Sequence, residues 1–250
     1  MTRYLLIFLL LLPACSESEA WMSPVMLGGG VPCPSGTYDF FWNGDHTSGE
    51  GYACITNGTG TQNTAGSDGT DRINVTAGQS GNGFQISAAN QYVYWTVTGE
   101  DILDDTICTI WMSVKPENAD FANQAGLWES NVDVNNKALG FIRPSDDSYN
   151  IFTKGNGTEE GYFGISDDIT NGAWQRVGFS WTTATAKVAV WDAAGWSESV
   201  STTHTAWASA MDDFSLGEYV TGVSHGYDIY IDSVYIITGS YQAADPGAYP

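Results

Sequence analysis

Apolar and polar positions alternate through most of the chain after residue 37. The clearest case is residues 171–196 (NGAWQRVGFSWTTATAKVAVWDAAGW), opened by Trp174. Val177, Phe179 and Trp181 take one parity, and Arg176, Gly178 and Ser180 take the other. A period of two marks a strand with one buried face, because successive side chains point to opposite sides of the pleat. Residues 182–185 (TTAT) read as a turn. Alternation resumes at Lys187-Val188-Ala189-Val190-Trp191, and residues 192–195 (DAAG) turn the chain again. Two such runs joined by a short polar connection predict an antiparallel hairpin.

The same pattern extends on both sides. Residues 38–42 (YDFFW), 84–86, 91–98 (QYVYWTVT) and 106–114 predict strands. Val93, Trp95 and Val97 share one face, as do Cys108, Ile110, Met112 and Val114. Shorter strands are expected at 125–128, 138–142, 151–153 and 161–165. Residues 197–213 read as a loose Ser/Thr/Ala stretch, and 214–220 and 228–238 close the sheet. Residues 56–71 (TNGTGTQNTAGSDGTD) have no apolar anchor and predict a long loop, a kind of segment that often carries function. Many short strands about ten residues apart, with turn residues between them, predict an all-β fold. The expected architecture is a two-sheet antiparallel jelly-roll sandwich.

The first residues follow a different pattern. A short basic start precedes an unbroken apolar run at 5–12 (LLIFLLLL). A spanning helix needs about 20 apolar residues, so this run has the length of a secretory signal core. Residues 12–15 (LPAC) resemble a bacterial lipobox, which implies lipidation of Cys15. The alternative is ordinary cleavage near Ala14 or Ala20. The expected layout is a signal peptide at 1–14, a tether at 15–36, the jelly roll at 37–239 and a tail at 240–250. The protein is then either secreted or anchored at the outer membrane or cell surface, touching membrane only through a lipid.

Charge narrows the partners. There are 29 Asp+Glu against 8 Lys+Arg, a net charge of -21. Such a surface repels phosphate, so nucleic acid and anionic membranes are excluded as partners. It suits solubility in salty water and the binding of cations. Asp45, Asp104 and Asp105 lie in turn-like sequence and are the candidate calcium ligands, since calcium takes clustered oxygens from loops. Of the four cysteines, Cys15 is the lipidation candidate. Cys33 and Cys54 flank the first strand, where export permits a disulfide that pins the arm to the sheet. Cys108 sits on an inward face as a small hydrophobe. Spacing leaves the connectivity open.

Four segments together resemble the laminin-G-like domains of the concanavalin A-like superfamily. Residues 41–49 (FWNGDHTSG) look like its opening strand and turn. Residues 109–116 (TIWMSVKP) look like its "TISxWVKP" strand, 174–195 like its central hairpin, and 230–236 (YIDSVYI) like its closing strand. The resemblance covers about residues 38–238. It implies the jelly roll and a calcium at the rim; here His46 stands where the family often has Glu. It does not imply one activity, because the fold hosts lectins, adhesins, glycanases and lyases.

Glycoside hydrolysis needs paired carboxylates, and the laminarinase-type strand motif "ExDxxE" is absent. The Arg-x-Glu and Gln-x-His strand motifs of lyases on this fold are absent as well. Sugar binding needs aromatic platforms, whose faces stack on the apolar faces of sugar rings. By parity or by the resemblance, Trp42, Trp95, Trp174 and Trp181 are assigned to the core. Trp128, Tyr149, Tyr162, Trp196 and Trp207 lie in or near predicted loops and are the candidate ligand contacts. The sequence therefore predicts a carbohydrate-binding or adhesion module with a site at the rim or on the concave face. A lyase or hydrolase, a structural docking domain and a virion adhesin are the rivals.

Overall fold

The computed structural model describes residues 40–42, 52–55, 61–64, 66–67, 74–79, 81–86, 93–96, 103, 106–117, 124–133, 135–143, 145–155, 157–165, 169–192, 195–201, 213–217, 228–239 and 241. All fall within one compact unit, Cys33–Pro250. Among them are seventeen strands and no helix. In chain order these are β1 (Phe40–Trp42), β2 (Tyr52–Ile55), β3 (Thr61–Thr64), β4 (Gly66–Ser67), β5 (Asn74–Ala77), β6 (Asn82–Ile86), β7 (Val93–Thr96) and β8 (Ile107–Pro116). Then follow β9 (Ala125–Asp133), β10 (Asn136–Arg143), β11 (Ser148–Gly155), β12 (Thr158–Ile165), β13 (Gln175–Thr182), β14 (Ala186–Asp192), β15 (Gly195–Ser201), β16 (Asp213–Leu216) and β17 (Ile229–Thr238).

The strands make two antiparallel sheets. One has ten strands, with the path β15-β14-β13-β8-β17-β1-β2-β3 and with β5 and β6 attached beside β17. The other has seven, in the order β12-β11-β10-β9-β16-β7-β4. The all-β sandwich predicted from alternation is therefore the observed fold. The predicted hairpin is β13–β14, in register from Arg176↔Trp191 to Trp181↔Ala186. Its turn closes through Thr182, whose amide donates to the Thr185 carbonyl at 2.7 Å.

One core fills the space between the sheets. Cys108, Ile110, Met112 and Val114 from β8 meet Val177, Phe179 and Trp181 from β13 and Phe214 and Leu216 from β16. Each fully buried side chain of this size contributes about 1.5–3 kcal/mol by leaving water. Aromatic rings dominate the middle. Trp128 stacks on Trp181 at 6.1 Å and on Phe214 at 6.3 Å between ring centroids. Phe40 meets Trp95 edge-on at 5.0 Å.

Three sequence expectations are corrected. Strand β9 runs on through Glu129, Ser130 and Asn131, where the polar side chains suggest a loop, because β10 supplies a full ladder of hydrogen bonds. Strand β15 occupies the start of the stretch read as loose, held by β14 from Asp192↔Gly195 to Ala186↔Ser201. Within 56–71, residues 61–64 pair with β2 and residues 66–67 with β7, so part of the predicted loop is strand. In each case backbone pairing needs no apolar side chain, and periodicity alone does not reveal it. Among the described residues no helix is long and apolar enough to cross a membrane, and the apolar run at 5–12 lies outside them.

Candidate functional site

The predicted site residues scatter. Trp128 and Tyr149 are fully buried, which corrects their assignment as surface platforms. Trp128 lies over Gly140, where a Cβ would collide with the indole, so the strand leaves room for the ring inside the core. Tyr149 faces inward from β11, and its hydroxyl donates to Gln175 Oε1 at 2.9 Å. That bond satisfies the polar end of an otherwise apolar burial. Tyr162 falls in β12 and Trp196 in β15. Cys54 falls in β2, opposite Phe41 in register. Trp207, Asp45, Asp104, Asp105, Cys33 and Cys15 lie outside the described residues. Cys108 is buried in the core, on the face its parity predicts.

The accessible aromatics gather elsewhere. Of the tryptophans assigned to the core, Trp42, Trp95 and Trp181 are buried there, but Trp174 is half-exposed. Its parity matches Arg176, not Val177, so it belongs to the outward side of β13. Among the residues whose side chains are described, the half-exposed aromatics are Trp174, Trp191, Tyr230, Tyr235 and Tyr241. Trp191, Tyr230 and Tyr235 lie on the outer face of the ten-stranded sheet by register, and Trp174 and Tyr241 lie against it, 5.7 Å from Lys115 Nζ and 5.1 Å from Lys187 Nζ.

Ladder register maps this face in rows. Trp191, Arg176, Ser113 and Asp232 form one row across β14, β13, β8 and β17. Ala189, Gly178, Trp111, Tyr235 and Phe41 form the next. Lys187, Ser180, Thr109 and Ile237 form the third. Glycine at 178 is required here, because a Cβ would collide with the six-membered ring of Trp111. Trp111 therefore lies flat across β13, and the Arg176 guanidinium sits 4.8 Å from its ring centroid. Tyr235 and Phe41 continue the aromatic line at 4.7 Å.

The most open part is where β8 ends. Lys115 Nζ lies 4.0 Å from the Tyr230 ring centroid and 5.7 Å from that of Trp174. It also pairs with Glu117 Oε1 at 2.5 Å. A cation near two aromatic faces is held by their quadrupoles. Beneath this open tier is a closed polar floor. Ser113 and Asp232 are fully buried and Arg176 nearly so. Ser113 Oγ donates to Gln79 Oε1 at 2.5 Å, and Ser233 Oγ to Asp232 Oδ1 at 3.1 Å. Backbone bonds pin the rim: Glu117 N donates to the Asp228 carbonyl at 2.8 Å, and Gly172 N to the Pro116 carbonyl at 2.6 Å. Rings on a pinned rim, with amide, ammonium and carboxylate groups between them, can stack on and hydrogen-bond a polyhydroxylated ligand.

The outer face of the seven-stranded sheet is different. Leu139, Phe141 and Phe152 form a buried apolar cluster there, and Asn150 and Glu129 are buried beside it. At its end Arg143 forks onto Asp146, with Nε to Oδ1 at 2.9 Å, and Ser148 Oγ donates to the same oxygen at 2.6 Å. The Arg143 hydrogen bond holds the Asp146 carboxyl below its ordinary range, against the opposing effect of burial. This network fastens the β10–β11 turn. Among the described residues no group of three or more His, Cys, Asp or Glu is placed to hold a metal ion.

No protein-family model and no curated protein matches the chain. Solved structures do. Domain 4 of AbnA, an extracellular GH43 arabinanase from Geobacillus stearothermophilus, in complex with arabinotriose, aligns over 82% of this chain and 94% of its own, at 14% identity and TM-score 0.59. The botulinum neurotoxin serotype D ligand binding domain, in complex with N-acetylneuraminic acid, aligns over 82% of this chain and 48% of its own, at 10% identity and TM-score 0.59. Another serotype D binding-domain structure aligns at 12% identity and TM-score 0.57. The chain thus spans about half the length of the toxin domains. At these identities the likeness establishes the fold: this chain is a β-sandwich of the jelly-roll kind, similar to the arabinanase domain over nearly all of that domain's length.

Proposed function

We propose that the protein is an exported glycan-binding module that holds a sugar at the open end of the outer face of the ten-stranded sheet, where β8 ends. The observation that carries this is the gathering of Trp174, Trp191, Tyr230, Tyr235 and Tyr241, the half-exposed aromatics among the residues whose side chains are described, on that one face. Trp174 and Tyr230 are the stacking rings at the open end, with Lys115, Glu117 and Gln79 supplying hydrogen bonds to hydroxyls. Trp111 and Arg176 hold the floor rigid. The fold's likeness to domains solved with arabinotriose and N-acetylneuraminic acid supports a sugar ligand. Export through residues 5–12 belongs to the same proposal, whether Cys15 is lipidated or the chain is cut near Ala14 or Ala20. So does a calcium that orders loops through Asp45, Asp104 and Asp105.

The test is retention on immobilised polysaccharides, with calcium and with chelator, followed by sizing of the retained polymer. The parent protein is expected to retain intact polymer. Trp174→Ala and Tyr230→Ala are each expected to weaken binding about 10-fold, from about 1–2 kcal/mol of lost ring contact, with Tm little changed. Loss of retention with chelator would support the calcium. Shortened polymer would replace this reading with a hydrolase or lyase. No retention on a broad panel would sink it and favour a docking domain.

A further inference from the structure

We infer that the site takes a neutral, hydroxyl-rich glycan and rejects uronate, sialate and sulfate chains. This rests on the glycan-binding reading of the same face and narrows its ligand class. The charges of that face are already paired. The described cations there are Lys115, Arg176 and Lys187. Lys115 is paired with Glu117 at 2.5 Å, and Lys187, itself 3% exposed, with Glu198 at 3.0 Å. Arg176 shares its ladder row with the fully buried Asp232, with Ser113 between them. Both lysines of the face are therefore held by a carboxylate, and Arg176 is buried over the Trp111 ring.

An acidic sugar needs a guanidinium or ammonium left over to receive its charge. Here it would have to strip Lys115 from Glu117 and leave that carboxylate facing the incoming anion. It would do so against the field of a chain with net charge -21. A neutral sugar meets neither cost. Its hydroxyls can donate to Glu117 and accept from Lys115 without breaking the pair, while its apolar face stacks on Trp174 or Tyr230.

The experiment compares arabinan, xylan and a β-glucan with polygalacturonate, alginate and a sulfated galactan, using the full-length protein. Salt is raised from about 0.01 M to about 1 M, which shortens the screening length from about 30 Å to about 3 Å. At least one neutral polymer is expected to be retained, with affinity changing less than about 2-fold across the salt series. The Glu117→Gln variant frees Lys115 at a half-exposed position where folding is not at risk. It is expected to gain several-fold in retention of acidic polymer at low salt and to lose that gain at high salt. Preferential retention of an acidic polymer by the parent, falling with salt, would overturn the inference while leaving the glycan reading standing. A Glu117→Gln variant with no gain for acidic polymers would also overturn it. Retention of no polymer of either class would remove the glycan reading and this inference together.

Discussion

Single side chains decide where this protein is closed and where it is open. Trp128 and Trp111 are both large rings laid over a glycine on a neighbouring strand, Gly140 and Gly178. The first faces the core and the second faces outward, yet both are buried. Asp146 shows how a polar residue is made structural. Its carboxylate accepts from Arg143 and Ser148 and sits below the ordinary carboxylate range, chiefly through the Arg143 bond. A depressed folded-state value means stability that is complete above the unfolded value of about 3.9 and lost as pH falls through the folded value. Both partners are partly exposed, so the contribution is about 0.5–1 kcal/mol. Asp146→Asn is expected to lower Tm at pH 7 by a few degrees, and the gap from the parent should close below about pH 4. Melting curves of both proteins from pH 7 to pH 3 check this. A gap that persists at pH 3 would mean that the carboxylate's charge is not what fastens the turn.

Strand β17 shows what an element gains from an irregularity. Its first half, Ile229 to Ile231, pairs with β6, and its second half, Val234 to Ile236, pairs with β1. The change of partner falls at Asp232 and Ser233, where the register with β8 also shifts. Ser233 adopts φ 51°, in the left-handed region. The bulge thus lets one strand hold two neighbours along one edge and resets the alternation, so that Val234 and Ile236 face the core as Ile229 and Ile231 do. Ser233→Val is expected to cost about 1–3 kcal/mol, because a β-branched residue resists that backbone conformation, while Ser233→Gly should stay close to the parent. Urea titration of the three proteins measures this. Equal loss in both variants would point to the Ser233 hydroxyl bond instead of the backbone. Much of this element was legible in advance. The alternation of residues 228–238 predicts the strand, but nothing in the sequence YIDSVYI marks a bulge, since neither residue at it is glycine.

At the scale of the whole molecule the net charge of -21 opposes the compact state through self-repulsion. Raising salt from about 0.01 M to about 0.5 M is expected to raise Tm, by about 2–4 °C for each kcal/mol of repulsion screened. A fall in Tm by calorimetry would mean instead that the paired charges, such as Lys187 with Glu198, outweigh the surplus of acids. That surplus, the alternation and the turn chemistry are properties of the sequence alone. They determined an all-β sandwich, the hairpin at 175–192 and the inward faces of β8 and β13, because period-two patterning and turn residues act locally. Only the tertiary structure decided which residues are accessible. Trp128 and Tyr149 look free in sequence because polar residues flank them, yet β13 of the facing sheet packs over both. Trp174 looks internal because it opens an apolar run, yet its parity places it outward beside Lys115 from another strand. Alternation says that a strand has two faces. What covers each face is set by residues distant in the chain, and that is why the platform of the proposed site became visible only when β8, β13, β14 and β17 were laid side by side.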